Sequence, residues 1–210
     1  MVEAMAKFLR ESRIRKALSD KIVIYESHVR AFWNTARYEE SDKMTHSVLR
    51  KKDEKGKDID MEFKFGVGDL RRVLDLKDSD DDRTIMSEHL AKGLWCRMGF
   101  TGHINGKMTK TSFSKAYRYL MHCMVQSLSH RKGAYNEVSD YIMNTVTSLV
   151  LNRRYNISQV IQEYMKENGQ DKSDRYIMYP RFIMMMINDQ FKDLPKNRND
   201  IMDMMQERNK

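Results

Sequence analysis

Apolar residues recur at helical spacing along most of the chain. Val29, Phe32, Trp33 and Ala36 follow the i, i+3, i+4, i+7 pattern of an amphipathic helix. The longest such pattern contains Phe113, Tyr117, Leu120, Met121, Met124 and Leu128. The pattern predicts helices at about residues 2–18, 26–37, 69–76, 84–98, 110–129, 136–149, 156–165, 181–193 and 197–207. Trp33 and Leu120 are predicted core residues.

One stretch has a different period. Ile59, Met61, Phe63 and Phe65 alternate with polar residues, which is typical of a half-buried strand. A second run, residues 44–51, precedes it across a polar segment that contains Gly56. We therefore predict a mainly α fold, a compact multi-helix domain with one β-hairpin near residues 45–65. Residues 1–195 are interpreted as a single helical domain and residues 196–210 as a C-terminal helix or frayed tail.

Individual residues mark several helix ends. Gly99 suits the position after a helix, Asn156 suits a helix cap, and Pro180 suits a first helical residue. The chain contains 18 methionines. The run from Phe182 to Ile187 is interpreted as core, whereas Met202, Met204 and Met205 could equally face a partner.

The chain is basic. Its 38 Lys and Arg residues against 30 Asp and Glu residues give a formal charge of +8, which favours a polyanionic partner or else reflects a solvated helical surface. The densest basic group lies in the predicted hairpin, although Asp53, Glu54 and Asp58 dilute it. The candidate nucleic-acid-binding residues are Arg50, Lys51, Lys52, Lys55, Lys57, Arg153 and Arg154, with Arg131 and Lys132 next in order.

Motifs for catalysis or metal binding are missing from the sequence. It contains no P-loop, HExxH, GxSxG or GxGxxG pattern, and none of its six histidines has metal-ligand spacing with a Cys or carboxylate. We predict no cofactor and no bound metal. The alternative is a metal-dependent hydrolase or nuclease whose carboxylates converge only in three dimensions, with Asp75, Asp78 and Glu88 as candidates.

Two cysteines cannot build a disulfide framework, and no apolar run reaches the length of a membrane span. The amino-terminal residues lack the apolar core of a secretion signal. These features predict an intracellular protein, cytoplasmic or nuclear, with no membrane partner.

Several sequence blocks occur in a distinctive order between residues 28 and 192. They are Phe32-Trp33 with Ala36, residues 69–76, Met98-Gly99-Phe100, residues 119–123 with 126–129, Asn136-Glu137, residues 152–158, and residues 179–183. This order resembles a retrotransposon-like domain of plant retroelement-derived reading frames, especially those of daisy-family genomes. The resemblance carries no catalytic residues. It implies a non-enzymatic module that binds a protein or nucleic acid, either alone or as part of a longer reading frame.

Overall fold

The computed structural model describes residues 2–52, 54–102, 108–128, 136–170 and 176–202. Its elements follow one another as α1 Val2–Glu11, α2 Arg15–Ser19, α3 Glu26–Thr35, β1 Arg37–Glu39, β2 Met44–Lys52, β3 Asp58–Phe65, α4 Val67–Val73, α5 Glu88–Arg97, a 3₁₀ turn at Lys110–Ser112, α6 Lys115–Leu128, α7 Asp140–Val150, α8 Ile157–Gln170, α9 Pro180–Gln190 and a 3₁₀ turn at Arg198–Asp200. The fold is mainly α with a small antiparallel sheet, as the sequence predicts.

The chain divides into two compact units. Unit 1 consists of Met1–Asp20 and Asp75–Val160, and unit 2 of Lys21–Leu74 and Ile161–Lys210. The boundary falls within α8, after its first turn. The interpretation of residues 1–195 as a single domain stays a prediction.

The core of unit 2 forms between a sheet and helix α3. The sheet has the order β1-β2-β3, and the register of β2 with β3 places Thr45 opposite Phe65. Phe63 and Phe65 lie on one face of β3, and the Phe32 ring packs against them with centroid distances of 5.8 and 5.9 Å. Trp33 is 3% exposed, and its indole N–H donates to the Met178 carbonyl at 3.1 Å. The predicted hairpin and the predicted burial of Trp33 are therefore confirmed.

Helices α6 and α7 supply much of the core of unit 1. Leu120, 1% exposed, is buried on α6 with Met121, Met124 and Leu128, which confirms the predicted apolar face. Helix α7 is buried on nearly all sides from Tyr141 to Leu149. Helices α1 and α2 pack on α6, and α5 packs on α7.

The residues predicted to mark the ends of helices lie at helix ends in the structure. Gly99 has a φ of +71°, a left-handed conformation that favours glycine after a helix. The Asn156 side chain accepts from the Gln159 amide at 3.0 Å at the start of α8, and Pro180 is the first residue of α9. Met184, Met185 and Met186 are buried, which confirms that this run belongs to the core.

Two of the predicted helices are interrupted by hydrogen bonds that the apolar period does not reveal. The helix expected over residues 2–18 breaks where the Ser12 amide and hydroxyl both bond to the Leu9 carbonyl, at 3.3 and 2.8 Å. The helix expected over residues 110–129 is interrupted at Phe113, whose backbone is extended. The flanking Ser112 and Ser114 bond to the backbone of Thr101 and Met98, so tertiary hydrogen bonds override the helical period.

Other predicted bounds shift by a few residues. Helix α5 begins at Glu88 rather than Thr84, and α7 begins at Asp140 because Ser139 caps it. β1 was not predicted, since three residues are too few to show a period. The last predicted helix begins instead as the 3₁₀ turn Arg198–Asp200, while its residues 203–207 lie outside the described residues. Met202 is buried, and Met204 and Met205 are likewise outside the described part.

Candidate nucleic-acid interface

The hairpin brings five of the candidate cations to one end of β2 and β3, as predicted. The strand register also places a carboxylate opposite two of them, since Arg50 faces Asp60 and Lys52 faces Asp58. The Arg50 Nε lies 2.9 Å from Asp60 Oδ1. Residues 50–60 carry five basic and four acidic side chains, a net charge of only +1. Much of the hairpin's positive charge is therefore balanced within the hairpin.

Arg153 and Arg154 lie in unit 1, just after helix α7. Asn152 takes a left-handed conformation with φ 48°, and the Arg153 amide donates back to the Ser148 carbonyl at 2.8 Å. The guanidinium of Arg13 donates to the same carbonyl at 2.9 Å and to the carbonyl of Arg153. A cation at this position stabilises the carboxyl end of the helix. The two exposed arginines thus belong to a helix-ending motif, and their binding role stays a prediction.

Charges around this motif are mixed. Arg154 Nη1 lies 3.8 Å from Asp82 Oδ1. Burial lowers the pKa of the Arg13 guanidinium, and the nearby carboxylates of Asp82 and Asp78 oppose that shift. The hairpin set and the Arg153–Arg154 pair belong to different units. Arg131 and Lys132, the next candidates, lie outside the described residues.

The carboxylates of the hydrolase alternative have separate roles. Asp78 accepts hydrogen bonds from the amide and the hydroxyl of Ser158, each at 2.8 Å, at the start of α8. Asp75 pairs with Lys77, and Glu88 Oε1 lies 2.5 Å from Lys92 Nζ.

Hydrogen bonds from these lysines lower the pKa of Asp75 and of Glu88. Each of these two carboxylates therefore already has a lysine partner within the fold. In the part of the chain that the structure describes, no group of three or more His, Cys, Asp or Glu side chains could hold a metal ion.

A stronger charge asymmetry lies elsewhere, in residues 89–136, which we call the acid-free segment. It contains no Asp or Glu and eight basic residues: Lys92, Arg97, Lys107, Lys110, Lys115, Arg118, Arg131 and Lys132. The whole chain has 38 basic and 30 acidic residues, so the rest of it contains 30 of each. The entire net charge of +8 is located in this segment.

The structure places the described part of the acid-free segment in unit 1, on α5, the first 3₁₀ turn and α6. Lys115, Arg118 and His122 are spaced three and four residues apart, share one face of α6 and are exposed. The Arg118 guanidinium donates to the carbonyls of Thr111 and Phe113, at 3.0 and 3.3 Å, and so holds the 3₁₀ turn beside this face.

Lys110 belongs to this turn but is only 8% exposed. Its Nζ lies 3.4 Å from Nδ1 of His122. Burial lowers the pKa of the Lys110 amine, because removing an ammonium from water disfavours its charged form.

The sequence does distinguish this segment, although a search for motifs or for runs of basic residues misses it. The basic residues in it are scattered, so none of them forms a dense run. The distinguishing feature is the absence of acidic residues, which appears only when signed charge is summed along the chain.

Comparison with protein-family models, with curated proteins and with solved structures found no significant match to this chain. Within the described ranges, no helix is both long and apolar enough to cross a lipid bilayer.

Proposed function

We propose that this chain is a non-enzymatic module that binds nucleic acid, most closely single-stranded RNA, through the acid-free segment. The observation that carries the proposal is the location of all eight excess positive charges within residues 89–136 of unit 1. A polyanion releases condensed counterions when exposed cations bind it, and that release supplies the affinity. Evenly mixed charge elsewhere on the chain gives no comparable gain.

Aromatic residues accompany the cations. Tyr117 and Tyr119 on α6 are partly exposed, and so is Phe100, whose ring packs 5.1 Å from that of Phe113. Partly exposed aromatic rings beside a cationic surface suit single strands, because unpaired bases stack on them. Neither feature reads base edges, so the proposed binding is weak and independent of sequence, with a Kd on the order of 10⁻⁴ to 10⁻⁶ M at physiological salt.

The resemblance of residues 28–192 to a retroelement-derived domain agrees with this proposal. Such reading frames place the domain near reverse transcriptase, integrase or Gag-like parts, which act on or package nucleic acid. A location in the cytoplasm or nucleus belongs to the same proposal.

The test is fluorescence anisotropy with a labelled single-stranded RNA over a salt series from about 50 to 300 mM. One variant removes four cations of the acid-free segment: Arg97→Gln, Lys107→Gln, Lys115→Gln and Lys132→Gln. A matched variant removes four hairpin cations: Arg50→Gln, Lys51→Gln, Lys52→Gln and Lys55→Gln. Both variants lose the same total charge, so any difference between them reports the location of the site.

We expect the first variant to bind more weakly. The slope of log K against log salt should also become shallower by about two to three, at about 0.7 per lost phosphate contact. The hairpin variant should keep most of the wild-type affinity and most of the wild-type slope. A larger loss in the hairpin variant would move the site to the hairpin. Absence of wild-type binding at about 50 mM salt would refute the nucleic-acid proposal and favour a protein partner.

A further inference from the structure

Residues 198–202, which we call the docked turn, lie against the amino-terminal end of α3 in unit 2. The Asp200 carboxylate accepts from the Ser27 amide at 3.0 Å and from the Ser27 hydroxyl. The Met202 amide donates to the Ile24 carbonyl at 2.9 Å, and the Met202 side chain is buried. These contacts are local, so the turn can open without unfolding the rest of the unit.

His28 lies in the first turn of α3, beside these contacts. Its ring packs on that of Tyr25 with a centroid distance of 5.5 Å, and Tyr25 pairs with Ile201 of the docked turn. Nδ1 of His28 is buried and has no hydrogen-bond partner in the described part of the chain. Burial lowers the pKa of the His28 imidazole, and the Asp200 carboxylate opposes that shift without reversing it.

A protonated His28 is disfavoured in the docked state for two physical reasons. The neutral ring can carry its proton on Nε2, whereas an imidazolium carries one on each nitrogen, so Nδ1 becomes a buried donor without an acceptor. The ring also lies near the positive end of the α3 dipole, where a cation is unfavourable. The neutral ring is therefore the form that fits the docked turn.

Asp200 is the charged group that acts on the His28 ring. On α3 itself, the Glu26 carboxylate accepts from Arg30 at 2.6 Å. The other ionisable side chains on the docked turn and on the elements that pack on α3 are Arg198 of the turn, His46, Arg50, Lys51 and Lys52 of β2, and Arg181 and Asp189 of α9.

We propose that the docked turn is a pH-sensitive latch, in which protonation of His28 releases residues 198–202 from α3. Above about pH 6.5, the ordinary value for histidine, the ring is neutral in both states and the turn stays docked. Below that pH the released state takes up a proton that the docked state resists. The opening constant then rises by at most about tenfold per pH unit, the limit for one proton. The latch belongs to unit 2 and is independent of the nucleic-acid proposal for unit 1.

Native-state hydrogen exchange tests the latch, because the Met202 and Ser27 amides both donate across it. Their protection factors, corrected for the intrinsic effect of pH on exchange, are measured from about pH 7.5 down to about pH 5. We expect both to fall below about pH 6.5, by at most about tenfold per unit, while amides of the β2–β3 ladder keep theirs. Constant protection at Met202 and Ser27, or a parallel fall in the ladder, would overturn the proposal.

Three variants identify the titrating group. His28→Gln should keep the protection of both amides constant over this pH range, and His89→Gln, at an exposed position in unit 1, should keep the wild-type response. Asp200→Asn should also keep the response, because an Asn oxygen still accepts from Ser27 and His28 still titrates. A response that is lost in Asp200→Asn and kept in folded His28→Gln would assign the titration to Asp200 and refute the latch.

The His28 ring provides a second measurement. Its Cε1 proton, followed by NMR and assigned with His28→Gln, should report a pKa below the ordinary value of about 6.5. Met202→Pro removes the N–H that donates to Ile24, and we expect the pKa of His28 to return towards the ordinary value in this variant. An unchanged midpoint in folded Met202→Pro whose Ser27 amide has lost its protection would contradict the coupling of His28 to the docked turn.

Discussion

Replacing Leu120 with alanine tests the core of unit 1. Leu120 is 1% exposed on α6, so nearly the whole side chain is lost from a packed interior. The change removes three carbon groups, worth about 0.8 kcal/mol each, or about 2.4 kcal/mol in transfer free energy. A residual cavity adds about 24 cal/mol for each Å³, so a space of roughly 60 to 80 Å³ contributes about 1.5 to 2 kcal/mol more. We expect a loss of about 2.5 to 4.5 kcal/mol in the free energy of unfolding.

The two tryptophans make this measurement specific, since Trp33 belongs to unit 2 and Trp95 to unit 1. In a Trp33→Phe background, urea unfolding followed by fluorescence reports the surroundings of Trp95. Lys115→Ala, at an exposed position of the same helix, is the matched control and should change stability by less than about 0.5 kcal/mol. An equally small effect of Leu120→Ala would show that this face of α6 does not pack as described.

The remaining predictions concern a helix cap, acid stability, secondary structure and metal content. Asp78→Ala should lower the free energy of unfolding by about 0.5 to 2 kcal/mol in urea titrations, because Ser158 at the start of α8 loses its acceptor, whereas exposed Asp81→Ala should have little effect. The pKa of Glu88 is lowered by the hydrogen bond from Lys92, so its contribution is complete above the unfolded pKa and is lost on acidification. The urea concentration at the midpoint of unfolding should therefore decrease as the pH is lowered below about 5. The decrease should be less steep in Lys92→Met. Far-ultraviolet circular dichroism should be dominated by helix, and a strand or coil spectrum would contradict the fold. Elemental analysis should find no stoichiometric zinc, and zinc that disappears on replacing either cysteine would reverse that expectation.

Periodicity predicted most elements because packing requires one apolar face on each. The stripe that ends at Ala36 and the one that contains Leu120 are both buried, as their spacing indicates. The breaks at Ser12 and Phe113 were not predictable in the same way. One depends on a side-chain bond to a nearby carbonyl, and the other on backbone bonds to residues about a dozen positions away. Neither interaction leaves a periodic signal in the sequence.

The inner face of the hairpin shows the same limit. Alternation predicts that Ile59, Met61, Phe63 and Phe65 point to one side, and the pairing register confirms this. Phe63 and Phe65 are buried, but Ile59 is 41% exposed. The alternation of apolar and polar residues reveals which side of a strand a residue occupies. Whether that residue is buried depends on how far the covering helix α3 extends over the sheet.

The candidate site was harder to predict than the fold because charged residues serve two different purposes. In the hairpin, Arg50 and Lys52 face Asp60 and Asp58, and such opposite pairs contribute to sheet stability. That pairing follows from the register, which a simple count of lysines ignores. A cation already paired within the fold must give up its partner before it can bind a phosphate, so it contributes less to affinity.

The acid-free segment has the opposite arrangement. Its cations include exposed Arg97 and Lys115, whose segment contains no acidic partner, and buried Lys110, whose described acceptor is the His122 ring. Lys92 pairs with Glu88 just before the segment, but the segment itself supplies no carboxylate. We therefore expect a ligand phosphate to gain more from these cations than from the balanced hairpin. The proposed site therefore follows from summing signed charge along the chain, whereas the local density of basic residues points to the hairpin instead.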